Sequence, residues 1–480
     1  MTNAAIFIIV IPMFMAVVIT LLDLTQWRAF CGHLAMFSLT AAFSLALVLA
    51  PQILCGESVV YTLGSWNQRI GISLLVDRLT IFMLLLGNLL GALVLLYALA
   101  DGKYEPKFYA LLLIMMSAIS GAFLSRDIFN LFVFMEVLSI ASYILVAHYG
   151  SQGSFLAGIN YLLISSIGLI LFLFGIGVLY RYSGTLNMLD ISEKIPEFFS
   201  ESPRAFILTL ALFVVGFGIK CAMVPLHTWL PDAHSIAPSP ISALLSGIVI
   251  KVGIYAFFRT VQMFRLCPFK ESLYMFLVYT GAITAIFGAL MALTQQDLKR
   301  LLAYSSINQI GYILIGIGLG TADGASGALF HTINHAFAKS CLFLCAGLMI
   351  EKTGRRKISE LVIVAKEMPA VTIIFILASL SLIGIPPAGG FFSKLMIGLA
   401  SVENGHPFVA LIIFFSSLIT GAYFLRCISV FFQGGAGYSI NEKKCSALVY
   451  LSLVLLVSGV FVVILFPRTG ETLFSVTLAP

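Results

Sequence analysis

Seven ionisable side chains stand inside apolar runs of this sequence, where a charge is out of place unless it does chemistry. Glu136 lies in IFNLFVFMEVLSIASYILVAH, Lys220 ends FILTLALFVVGFGIK, Lys251 follows ISALLSGIVI, and Lys394 sits in GGFFSKLMIG. His331, His335 and Lys339 recur at i, i+4 and i+8, along one face of one helix. A cation near the middle of a spanning helix costs about 2.5–3.5 kcal/mol on insertion scales, so it is kept there by a partner or a hydrated cavity. The chemistry open to such groups is proton transfer: a buried amine holds its proton less tightly when desolvated and more tightly when a carboxylate approaches. No Gly-rich phosphate loop, Walker pattern, haem spacing or iron–sulfur spacing occurs. The eight cysteines form no CxxC pair, and Cys341 and Cys345, on one helix face, read as small core residues. No cofactor and no redox centre is therefore expected in this chain.

Each feature has a plainer reading beside it. Glu136 is either a proton-carrying carboxylate, with Lys220 as its natural partner, or a tie between helices. His331 and His335 have metal-ligand spacing, but no further His or carboxylate lies near them in the sequence and Lys339 would repel a cation, so no metal is assigned. Ser305, Ser306, Asn308 and Gln309 either tie helices or line a hydrated path. Asp77 and Arg78 read as an orienting pair at the membrane interface.

Two proline signals accompany the lysines. Pro225 follows Lys220 and precedes His227, Trp229, Pro231, Asp232 and His234; Pro386-Pro387 and Gly389-Gly390 precede Lys394. Proline lacks the N–H that an α-helix needs, so each signal predicts a broken helix whose freed carbonyls must be met by protein or water. Discontinuous helices in two halves of a chain are the mark of inverted-repeat transporters.

The elements that must carry these residues are membrane helices. Of 480 residues 60% are hydrophobic and 10% charged, and the mean hydropathy is +1.06, which excludes a soluble globular domain. A span needs about 20 apolar residues. About fourteen such windows occur, from 4–22 to 446–467. The candidate residues fall in windows 128–148, 205–224, 241–263, 325–350 and 370–398. The sixth window, 154–180, offers Asn160 and no charge. The polar segment 181–204 reads as an outer loop with a short helix. No basic segment precedes the first window, which therefore reads as an uncleaved span.

Loop charges orient the bundle with its N-terminus outside. Arg28, Lys103, Lys107, Lys299, Arg300, Lys352, Arg355, Arg356, Lys357, Lys366, Lys443 and Lys444 then lie inside. Arg69, Arg126, Arg181, Lys194, Arg204, Arg265, Lys270 and Arg468 lie outside. The formal net charge of +6 is thus a positive-inside signature, and nucleic acid is no partner. A lipid bilayer is the expected environment.

The runs GIKCAMVPLHTWLPDAHSIAPSPISALLSGIVIKVGIY, QQDLKRLLAYSSINQIGYILIG, HTINHAFAKSCLF and GIPPAGGFFSKL resemble the antiporter-like subunits of respiratory complex I, Mrp cation/proton antiporters and membrane-bound hydrogenases. The resemblance covers roughly residues 70 to 430. In length, and in ending without a lateral helix, the chain is most similar to the Mrp D-type chain and its hydrogenase relatives. The resemblance implies an all-α, fourteen-helix fold with two broken helices: three helices in 1–106, inverted five-helix repeats at 107–263 and 271–434, and a last helix with its tail in 435–480. It also implies that Glu136 pairs with Lys220, that Lys251 is a central bridge, that His331, His335 and Lys339 continue the path and that Lys394 ends it. Many members carry a lysine before the tyrosine of the sixth span, where this chain has Asn160-Tyr161.

The expected function is proton translocation in a hetero-oligomeric membrane complex that includes further antiporter-like chains. The setting is either Mrp-type antiport or redox-coupled pumping beside peripheral iron–sulfur, nickel–iron or flavin subunits. The competing readings are a non-pumping scaffold and a stand-alone transporter of a larger solute. Two broken helices and a continuous charged axis argue against the first, and the lack of a solute-sized polar cluster against the second.

Overall fold

The computed structural model describes residues 3–65, 71–433 and 445–462. Arg69, Lys443, Lys444 and Arg468, and the end of the last predicted window, lie outside the described residues.

Twelve helices among the described residues are long and apolar enough to cross a membrane. In chain order the helices are α1 (Ala4–Leu22), α2 (Cys31–Leu54), α3 (Arg78–Asp101), α4 (Pro106–Leu124), α5 (Ile128–Val146), α6 (Gln152–Ser183), α7 (Met188–Glu201), α8 (Pro203–Lys220) and α9 (Trp229–Ile236). There follow α10 (Ser239–Met263), α11 (Lys270–Thr294), α12 (Leu298–Gly318), α13 (Ala322–Thr353), α14 (Pro369–Ile383), α15 (Gly389–Glu403), α16 (Pro407–Phe431) and α17 (Ala447–Val462). α14 and α17 are shorter apolar helices. The segment after the sixth window does hold a helix, α7, whose Met188, Ile191, Ile195 and Phe198 are buried along one stripe.

One element departs from the all-α expectation. Val59–Thr62 and Ser73–Val76 pair as an antiparallel hairpin, with Val59 opposite Val76. Such four-residue apolar runs are invisible to a search for spans.

Burial separates core from periphery. In the apolar windows of α10, α12 and α13, 94%, 100% and 89% of residues are buried, against 33% in α1 and α16. The helices that carry most of the candidate residues are thus those most shielded from lipid.

The chain also repeats its own construction. Asp127 caps α5, Ser151 caps α6, Gly184 closes α6 in the left-handed conformation and Asn187 bridges back to Asp127. At a constant interval further on, Asp297 caps α12, Thr321 caps α13, Gly354 closes α13 and Lys357 bridges back to Asp297. α6 and α13 both have 32 residues. Since α5 begins at the end assigned outside and α12 at the end assigned inside, the two passages run oppositely.

Both predicted breaks are present, and side chains meet several of the backbone groups they free. After α8, the Trp229 indole donates to the Ile219 carbonyl at 2.8 Å and the Val224 N–H donates to Thr284 Oγ1 at 3.1 Å. After α14, Lys394 Nζ donates to the Leu382 and Ile383 carbonyls at 2.7 and 3.1 Å. The window 370–398 is therefore two helices, α14 and α15.

Candidate ion pathway

Lys220 ends α8, and its ammonium donates to the hydroxyls of Ser139 on α5 and Ser165 on α6. Ser139 directs its own hydrogen to the Met135 carbonyl at 2.7 Å, leaving lone pairs for the lysine. Glu136 lies one turn before Ser139, half-buried. The described residues contain no direct Glu136–Lys220 ion pair; serines occupy the contact positions. Gly253 of α10 passes against this site, where an added Cβ would lie 3.0 Å from the Lys220 carbonyl carbon. A cavity of about 10 Å³, bounded by Lys220, Ser139, Tyr161 and Gly253, is at the lower limit for one water.

Lys251 is the middle residue of α10 and fully buried. A π-helical turn at Leu245–Val249 widens α10 just before it, and the Ser246 carbonyl within that turn accepts from the ammonium. Its other partner is His335 Nδ1 at 2.5 Å. A protonated lysine must donate there, which leaves the neutral imidazole's hydrogen on Nε2. The His335 and His331 rings lie 6.4 Å apart, inclined by 24°. His331 Nδ1 meets Ser393 Oγ at 2.8 Å, and Ser393 donates to the Gly390 carbonyl at 3.1 Å. With the serine's hydrogen so used, His331 carries its own on Nδ1 and turns an Nε2 lone pair elsewhere.

Lys394 closes the line. Besides the two carbonyls of the second break, it donates to Ser417 Oγ at 3.0 Å and lies 4.7 Å above the Tyr312 ring. The same ring meets His331 edge-on at 5.5 Å, so Tyr312 touches both groups. Lys339 takes another direction, donating to the Leu302 carbonyl of α12 at 2.8 Å. In the α13 stripe, then, Lys251 contacts the middle residue, His335, while His331 shares the Tyr312 ring with Lys394 and Lys339 turns to α12.

The polar residues of α12 act as ties. Ser306 bonds Ser246 at 2.8 Å, Ser305 accepts from Tyr423 at 2.7 Å, and Asn308 donates to Ser416 and the Ala285 carbonyl, each at 2.7 Å. Asn160 faces outward. Among the described residues no cluster of three His, Cys, Asp or Glu could hold a metal.

Arg78, read with Asp77 as an orienting pair at the membrane interface, donates to the Leu54 carbonyl at 3.4 Å, and Asp77 reaches a base on another helix. Asp77 caps α3 through the Thr80 N–H at 2.8 Å and takes Arg259 of α10 on both carboxylate oxygens at 2.6 Å. Burial alone would push the Asp77 carboxyl up, but the Arg259 guanidinium and Thr80 hold it below its ordinary value. The pair's contribution is complete above about pH 4 and is lost only as the pH falls through that lowered value.

Sequence reasoning missed Ser139, Ser165, Ser393, Tyr312 and the π turn. Serine in a membrane helix ordinarily reads as a packing residue, and only spacing from a charge, as Ser139 from Glu136 or Ser393 beside Lys394, marks these ones. We expect Ser139→Ala or Ser165→Ala to slow proton movement roughly tenfold each, since a hydrogen bond to a charged group is worth about 1.5–3 kcal/mol. Transport rates per assembled complex, measured in proteoliposomes, check this.

A bundle of this topology, with two broken helices and a buried line of amines and imidazoles, defines a polytopic membrane protein of the antiporter-like class. The family described as NADH:quinone oxidoreductase/Mrp antiporter, TM, matches residues 125–420, and the chain belongs to it. It is 37% identical to the N-type chain of the NADH-quinone oxidoreductase of Desulforudis audaxviator, over 88% of this chain and 85% of that one. It is 32% identical to the D-type chain of the Na(+)/H(+) antiporter of Alkalihalophilus pseudofirmus, over 92% and 89%. A chain of the membrane-bound sulfane sulfur reductase, an archaeal respiratory membrane complex, superposes with a TM-score of 0.92 at 28% identity, covering 99% of this chain and 97% of that one. A chain of the Mrp complex from Dietzia sp. shares the fold with a TM-score of 0.90 at 24% identity, over 100% and 97%. The protein is thus a multi-pass, antiporter-like component of the prokaryotic plasma membrane. Its partners are other membrane subunits.

Proposed function

We propose that this protein moves protons along the buried line from Glu136 and Lys220 through Lys251, His335 and His331 to Lys394, with Lys339 as a branch. One observation carries this reading. Lys220, Lys251, Lys339 and Lys394 are each met by neutral oxygens or an imidazole, without a contacting carboxylate among the described residues. Four amines with Glu136 as the nearby acid are not all charged at once; a proton gained at one disfavours the charge on the next. The segments 107–263 and 271–434 act as two inverted repeats, a reading that the recurring caps support.

The test is Glu136→Gln and Lys220→Ala in the assembled complex. Both are expected to abolish transport while the complex still purifies intact; normal pumping in either removes the pair from the mechanism. Lys394→Ala is likewise expected to stop transport, and if it impairs assembly alone, that lysine is structural.

The setting is either cation/proton exchange or redox-coupled pumping, in keeping with relatives named as components of a Na(+)/H(+) antiporter and of an NADH-quinone oxidoreductase. Mild-detergent extraction of the tagged chain with mass spectrometry separates these. Iron–sulfur, nickel–iron or flavin subunits in the extract indicate a redox pump. Small membrane subunits with a second antiporter-like chain indicate an exchanger.

A further inference from the structure

Lys251, Tyr255 and Arg259 recur along α10 at the same i, i+4, i+8 spacing as the α13 stripe. They run from the middle of the helix toward the end assigned outside. At that end a cavity of about 350 Å³ opens, lined by Glu57, Asp77, Arg126, Tyr255, Arg259 and Arg265 among others. Next to it an open cleft of about 40 Å³ is lined by Lys251, Tyr255 and Thr332 within an otherwise apolar wall. Among the described residues, Tyr255 alone lines both.

Tyr255 is held in place from three sides. Its hydroxyl donates to the Phe123 carbonyl at 2.7 Å, meets Thr80 Oγ1 at 3.0 Å and accepts from Arg259 Nε at 3.0 Å. Arg259 is fixed in turn by Asp77 and by Thr80 Oγ1 at 3.0 Å. The guanidinium lies 5.0 Å above the tyrosine ring. At 14% and 19% side-chain exposure, Arg259 and Asp77 face the outer cavity from its floor. The ring thus stands in the wall shared by the two cavities, and the ion pair holds the arginine that bonds its hydroxyl.

We propose that Lys251 has its own outlet to the outer face, closed by Tyr255 and latched by Asp77–Arg259. This rests on Lys251 being a proton carrier. When the latch parts, Arg259 releases the Tyr255 hydroxyl, the ring swings aside and the two cavities join. Water reaching the amine then takes its proton, Lys–NH₃⁺ plus H₂O giving Lys–NH₂ plus H₃O⁺, and the hydronium leaves through the outer cavity. While closed, the plug confines a proton on Lys251 to the route through His335.

The test places a cysteine behind the plug and leaves Lys251 in place. In the assembled complex, Thr332→Cys is exposed from the outer side to a membrane-impermeant trimethylammonium methanethiosulfonate, and modification of residue 332 is followed by mass spectrometry. Adding Tyr255→Ala, or Asp77→Asn should the first variant fail to assemble, is expected to speed modification from outside about tenfold or more. Modification from inside stays unchanged. A rate that does not rise from outside overturns the outlet. In proteoliposomes the double variant Tyr255→Ala/Lys394→Ala is expected to pass protons that Lys394→Ala alone blocks. A double variant that stays tight although residue 332 becomes accessible also overturns the proposal, by reducing the cavity to a void. Modification reads geometry without transport, so it stands even if the Glu136–Lys220 reading fails.

Discussion

Lys251→Met is expected to lower proton transport about a hundredfold or more while the complex assembles normally, the loss typical of removing a group that itself gives and takes the proton. Methionine keeps most of the side-chain volume, so the packing of α10 against α13 is little disturbed. It cannot donate to Ser246 or to His335 Nδ1, the two partners of the amine. The line is thereby cut where its two halves meet. Transport per complex, with assembly scored by co-purification, separates loss of function from loss of fold. A Lys251→Arg variant sharpens the result: it restores a cation but one that does not release its proton, so it stays inactive.

Gly390→Val is expected to remove the protein from the membrane altogether. A Cβ at residue 390 would lie 1.8 Å from the Ser381 carbonyl oxygen, which is backbone and has nowhere to go. Gly390 also donates its N–H to Ser381 Oγ at 3.3 Å, and Ser381 bonds Asn334 Oδ1 at 2.6 Å, so α13, α14 and α15 converge at this contact. Forcing it apart costs on the order of 4 kcal/mol or more, in the range reserved for disrupted cores. Lys394 would lose the Leu382 and Ile383 carbonyls together with the break. Immunoblots of membranes show whether the chain persists. Persistence at the wild-type level would mean that the second break closes without this glycine.

The charged positions and both breaks were legible because the bilayer makes them expensive. A lysine in an apolar run, or a proline five residues after one, stands out against any packing explanation. What escaped was the neutral half of the site. Ser139, Ser165 and Ser393 belong to residue types that membrane helices use everywhere, and Tyr312 looks like one more aromatic in an apolar helix. The Asp77–Arg259 pair escaped for another reason. Its partners are far apart in the chain, and Arg78, next door, supplied a nearer base. Yet the spacing that singled out His331, His335 and Lys339 also occurs in Lys251, Tyr255 and Arg259, and applying one rule to both helices would have found the second stripe.

The opposed course of the two passages has an electrical meaning. Glu136 and Lys251 sit at the centres of their helices, and α8 and α14 start from the ends assigned to opposite faces, each presenting its carboxyl end and hence its negative dipole to a lysine. On the proposed route, a proton handed from one helix centre to the next would move largely parallel to the membrane surface. Carrying a charge across 100 mV takes about 2.3 kcal/mol, but a lateral hop crosses almost none of that field. If protons follow the proposed route, voltage acts on the steps that bring a proton in from one face or let it out at the other, and the interior stretch is electrically silent.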